Sequence, residues 1–155
     1  MIALHIVAIG AHNDDLIIGA GGYLIKQKAS SKITLVVMVN HYVAGESSQR
    51  NRAIHDICRS YGWNLQIFDY HDTAIPTNLA VVTRVARLLQ QAGCSRLIVP
   101  AAGRHIDHGV VSLVVRQALR LARINTAVSV CDAYKGCLAS FEVLDYTDVS
   151  DVFKV

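Results

Sequence analysis

Short β-rich runs alternate with longer helical segments along this chain, and that alternation limits the fold more than any other feature. Brief runs of mostly Val, Ile, Leu and Ala predict strands over residues 3–9, 33–39, 65–69, 96–99 and 127–131. Between them, helical patterns cover 16–29, 48–61, 78–92 and 110–123, and Gly62 and Gly93 stand where two of these helices would stop. Apolar runs without alternation suit strands buried on both faces. The expectation is an α/β fold, a parallel sheet with right-handed crossovers and helices on either side, whose ligand site lies beyond the carboxyl ends of the strands.

The segments that follow the strands carry the chemistry. They read Gly10-Ala11-His12-Asn13-Asp14-Asp15, Asn40-His41-Tyr42, Tyr70-His71-Asp72, Pro100 to His108, and Asp132-Ala133-Tyr134, and they hold five of the seven histidines. In the first, His12 and Asp15 are three apart and share one side of a helical turn, while Asp14 points elsewhere. In the fourth, His105 and His108 have the same spacing, so the two loops offer imidazoles and carboxylates to one rim. Two histidines and a carboxylate with an open position suit catalytic zinc, which lowers the pKa of bound water to about 7; the same set also describes a non-haem iron triad. A remaining carboxylate would act as general base, and a remaining imidazole would meet an oxyanion or a leaving group. Gly19-Ala20-Gly21-Gly22 lies inside a helical segment in no Gly-x-Gly-x-x-Gly register, so it reads as close helix-to-sheet packing and not as a dinucleotide loop. His5 and His55 read as structural, and His41 and His71 as pocket lining.

Composition excludes several other classes. A length of 155 residues points to one domain over 1–155, large enough to bury roughly two-thirds of its unfolded surface. The net charge of +3 is small and evenly spread, with no basic-aromatic stripe for nucleic acid, and Arg116, Arg120 and Arg123 read as a solvated helix face. No apolar stretch reaches the ~20 residues of a membrane span, and the first residues lack a basic export signal. Cys58, Cys94, Cys131 and Cys137 form no Cys-x-x-Cys pair and read as reduced, buried thiols of a cytoplasmic protein.

Ala11-His12-Asn13-Asp14-Asp15 followed by Gly19-Ala20-Gly21-Gly22, together with His105-Ile106-Asp107-His108, resembles the LmbE/PIG-L-type zinc deacetylases, N-acetylglucosaminyl deacetylases and their relatives. That family's pattern is Ala-His-Pro-Asp-Asp, an acidic residue, Gly-x-Gly-Gly, and His-Pro-Asp-His some ninety residues later. Phe141 with Thr147-Asp148-Val149-Ser150 resembles its Phe and Asp-Ile-Ser element. The resemblance implies a Rossmann-like three-layer sandwich. It also implies zinc held by His12, Asp15 and His108, with Asp14 as general base and His105 stabilising the tetrahedral intermediate. Arg50 or Arg52, and Asp72, would grip the sugar of a small N-acetylated substrate.

Three departures accompany the resemblance. Asn13 replaces the motif proline and is expected to adjust the loop shape only. Leu16 and Ile17 stand where the family has an acid, which removes a contact worth ~10-fold or more in metal affinity. Family members also continue past the Asp-Ile-Ser element, so a chain ending at Val155 is expected to be truncated or completed by another subunit. Low charge and high apolar content add the expectation of a homo-oligomer. The rival reading is a family-like domain that binds metal or sugar without turnover.

Overall fold

The computed structural model describes residues 4–42, 45–103 and 105–131. Phe141, the element at 147–150, the loop 132–134 and Cys137 lie outside them. Strands and helices alternate as β1 (Leu4–Gly10), α1 (Asn13–Gln27), β2 (Ser31–His41), α2 (Ser47–Tyr61), β3 (Asn64–His71), α3 (Leu79–Ala92), β4 (Arg96–Pro100), α4 (Ile106–Ala122) and β5 (Ala127–Cys131). Every strand pairing is parallel, in the order β3-β2-β1-β4-β5. Among the described residues no helix is long and apolar enough to cross a membrane.

Alternation along the central strands builds the three layers. Ile6 and Ala8 of β1 and Leu35 and Val37 of β2 pack with Leu16 and Leu24 of α1 and Ile54 and Cys58 of α2. Val7 and Ile9, with Val36 and Met38, meet Val81, Val85 and Leu89 of α3 and Val111, Val114 and Ala118 of α4 on the other face. Each fully buried Val, Leu or Ile contributes roughly 1.5–3 kcal/mol, and this two-sided burial explains the unbroken apolar runs.

Helix ends follow the chemistry of their terminal residues. α2 and α3 stop at Gly62 (φ 68°) and Gly93 (φ 60°), where the left-handed turn favours glycine. α1 and α4, in contrast, begin at Asn13 and Ile106, ahead of the 16 and 110 that periodicity predicts. Their first turns are the polar clusters themselves, which carry no apolar period, and a histidine occupies each N-cap.

The sheet grows outward from β1 on both sides, first through β2 to β3 and then, after α3 crosses back, through β4 to β5. This switch point opens a crevice at the carboxyl ends of β1 and β4, between the starts of α1 and α4. Val39 N–H donates to Ala11 O at 2.9 Å, at the point where β2 slips register against β3, and this bond pins the turn after β1. Gly10 sits inside that turn: a Cβ there would lie 2.9 Å from Leu16 Cγ and 3.0 Å from His12 O. Gly21 is buried, yet a Cβ there would meet only Leu16 O of its own helix, at 3.9 Å, so close sheet packing does not require glycine at that position. Gly10→Ala is therefore expected to cost about 1–3 kcal/mol of stability in urea unfolding, with Gly21→Ala within about 1 kcal/mol of the parent.

Candidate metal centre

His12 and Asp15 open α1 as a reciprocal cap. Asp15 Oδ2 accepts the His12 backbone N–H at 2.9 Å, and His12 Nδ1 lies 3.7 Å from the same oxygen. The other oxygen, Asp15 Oδ1, is 2.9 Å from His108 Nε2 in the first turn of α4, off the line of a hydrogen bond. Asp15 is 1% exposed, and His12 and His108 are buried with it. A buried carboxylate oxygen and an imidazole nitrogen that face each other without a hydrogen bond suit donors to a shared cation.

His12 reaches in two directions. Its Nε2 donates to Asp72 Oδ1 at 3.0 Å and stands 3.5 Å from Asp107 Oδ2. Donor atoms thus fall into three overlapping groups that each draw within 4.8 Å: His12, His105 and His108; His12, Asp72, His105 and Asp107; and His12, Asp14 and Asp15. The expected ligands His12, Asp15 and His108 are joined through Asp15, which faces both histidines, and do not form one of these groups.

The remaining expected residues line the mouth. Asp14 is partly exposed, with Oδ1 3.9 Å from an Arg50 guanidinium nitrogen. Arg50 also pairs with Glu46 at 3.0 Å and lies 4.7 Å over the Tyr42 ring. Arg52 is exposed; two residues on, it sits about 200° around α2 from Arg50, away from the crevice. His105 caps α4: its Nδ1 accepts from Asp107 N–H at 3.3 Å, which places the ring proton on Nε2, 3.9 Å from Asp72 Oδ1. His41 and His71 stack 4.5 Å apart at the ends of β2 and β3, with His41 bonded to Asp69. His5 is a core histidine held by Thr34 and Ala92.

Two residues with no assigned role matter to the geometry. Asp107 is 0% exposed; its Oδ2 accepts Thr73 N–H at 2.8 Å, and its Oδ1 has no hydrogen-bond partner. Thr73 holds φ 63°, which costs a β-branched residue about 1–3 kcal/mol. The only sequence sign of Asp107 is its place inside the His-Ile-Asp-His run. Tyr42 Oη accepts from Asn13 N–H and donates to Asn13 Oδ1. Asn13 is the first helical residue of α1, where a proline fits because its missing N–H is not needed there, and here that N–H serves Tyr42. Leu16 is fully buried in the core, so no acid contacts the site from that position.

Electrostatics favour a cation here. Burial alone would lower His12, but the carboxylates of Asp15 and Asp72 push it up to about 9. Burial alone would raise Asp15, and the imidazoles of His108 and His12 hold it well below the usual carboxylate range. Burial likewise opposes ionisation of Asp72, and His12 keeps it low; burial drives the Tyr42 hydroxyl up to about 12. A raised histidine contributes stability that is complete below its ordinary 6.5 and lost as pH climbs through about 9. With divalent ions chelated, urea unfolding is expected to show a loss of roughly 1–3 kcal/mol between pH 6.5 and 9 that His12→Asn abolishes.

The family model described as PIG-L, GlcNAc-PI de-N-acetylase, matches residues 7–119. No curated protein matches the chain significantly by sequence. Among solved structures, N,N'-diacetylchitobiose deacetylase from Pyrococcus horikoshii aligns with TM-score 0.80 and 17% identity, over 97% of this chain and 66% of that one. The hydratase GalB from Pseudomonas putida aligns with TM-score 0.69 and 14% identity, over 78% and 57%. A zinc-inhibited form of teicoplanin deacetylase Orf2 gives 0.70 and 10%, over 92% and 72%. The chain spans less than two thirds of the first two proteins, and at these identities the likeness is one of fold. The family match, which runs from β1 through both polar clusters, is the decisive finding: this chain belongs to the PIG-L family of GlcNAc-PI de-N-acetylases.

Proposed function

We propose that the protein is a cytoplasmic zinc-dependent hydrolase that removes the acetyl group from an N-acetyl sugar or a related small conjugate. The observation that carries this reading is the meeting of Asp15 Oδ1 and His108 Nε2 at 2.9 Å beside His12, in a buried crevice rimmed by Asp14 and His105. Family membership and the deacetylases that share the fold support it. His12, Asp15 and His108 would hold the ion, which supplies Lewis acidity and lowers the pKa of a neighbouring water to about 7.

The chain's own residues perform the rest. Asp14, more exposed than Asp15, takes the proton from the attacking water. His105, whose cap bond leaves the proton on Nε2, donates a hydrogen bond to the oxyanion, and Asp14 passes the proton it took from water to the leaving amine. Arg50, beside Asp14, and Asp72, beside His12 and His105, would bond sugar hydroxyls; Arg52 would reach the sugar only from outside the crevice.

Elemental analysis of the purified protein is expected to find about one zinc per chain, lost in His108→Ala. Asp14→Asn is expected to keep the zinc and to lower turnover of N,N'-diacetylchitobiose or N-acetylglucosamine by about 10²–10⁴-fold. Zinc with no turnover across a panel of N-acetyl sugars would move the protein to the binding-domain reading, and iron with oxygen-dependent chemistry would overturn both.

The proposal includes self-association. Among the described residues β5 is an edge strand, with Val128 and Val130 exposed. Light scattering is expected to give more than one chain per particle; a sharp monomer overturns this part of the reading.

A further inference from the structure

The tie between Asp72 and His12 has a backbone support of its own. Asp72 N–H donates to His41 O at 2.9 Å, which fastens the residue to the end of β2. The next residue, Thr73, is held at φ 63° while its N–H is gripped at 2.8 Å by Asp107, a fully buried carboxylate from the first turn of α4. A strained turn that is clamped from a neighbouring helix points its preceding side chain in one direction, and here that direction is His12 Nε2 at 3.0 Å. The His12 ring offers Nδ1 on its opposite side, toward Asp15.

We propose that Asp72, clamped through Thr73 by Asp107, is a positioning residue for His12: it takes the Nε2–H and so fixes Nδ1 as the nitrogen presented to the ion. A carboxylate behind a ligating imidazole sets its tautomer, its ring orientation and its basicity, and removal of such a partner weakens metal affinity 10–100-fold. The sugar grip proposed for Asp72 uses exposed hydroxyl contacts and predicts no such loss. This inference rests on the metal reading of His12.

The test measures zinc affinity by chelator competition, and the absorption spectrum of cobalt-loaded protein, for the parent and Asp72→Asn. The expected result is at least tenfold weaker zinc binding in the variant, with a shifted, weaker cobalt d–d band even at saturating cobalt, because a neutral amide, which can donate as well as accept, no longer fixes the Nε2–H tautomer or raises the basicity of Nδ1. Thr73→Gly, which relaxes the turn without altering any charge, is expected to weaken zinc binding in the same direction by a smaller factor. Zinc affinity within tenfold of the parent in Asp72→Asn overturns the inference. So does weaker binding with an unchanged cobalt spectrum, which would make Asp72 a remote charge only. In both cases a parent that binds zinc leaves the proposed function standing, whereas a parent that binds neither metal overturns both.

Discussion

The carboxylate of Asp15 ties two distant parts of the chain to one point. One oxygen caps α1 through the His12 N–H, and the other faces His108 on α4, so the turns after β1 and β4 are fixed to each other across the crevice. Asp14, Asp72 and Asp107 approach the same imidazoles, and this many carboxylates in a partly buried space demand positive charge. A proton on His12 or a divalent ion can supply it, and each excludes the other from the same lone pair. The raised His12 and the depressed Asp15 are two expressions of that single demand.

The fold meets this demand with ordinary helix starts. An N-cap normally calls for Ser, Thr, Asp or Asn, whose short side chains reach back to the first amides. Histidine at both caps gives up part of that advantage and places an imidazole at the mouth of each helix instead. The first-turn acids Asp14, Asp15 and Asp107 favour the positive end of the helix dipole, which offsets some of the loss. The two polar clusters are therefore structural and chemical at once.

Much of this was legible in the sequence, and the exceptions have physical causes. Apolar runs marked all five strands of the described chain, because strands buried on both faces need unbroken Val, Ile and Leu. The ends of β2 at Ser31 and His41 carried no such signal, since polar residues finish that strand. The starts of α1 and α4 were hidden for the reason that makes them important: their first turns spend their positions on His, Asn and Asp. The motif drew His12, Asp14, Asp15, His105 and His108 to one rim, as spacing and strand order allow. Asp72 beside His12 could not be read, because that contact joins residues 60 apart and depends on a left-handed threonine. Nor could spacing separate Arg50 from Arg52; only the rotation of α2 against the crevice does so.

The pairing of β1 with β4 has a consequence for the order in which the molecule assembles. Ile6, Val7 and Ala8 pair with Arg96, Leu97 and Ile98, so this contact closes a loop that includes β2, β3 and their helices. Such non-local pairings form slowly, after the local helices and the nearer strand pairs. His108 lies beyond β4, and it cannot approach Asp15 until that strand has docked. A chain emerging from the ribosome therefore carries His12 and Asp15 through the synthesis of α2, β3, α3 and β4 without the partner that completes their site. The cleft comes into being only with that late pairing, so whatever binds there reports that β4 has docked on β1.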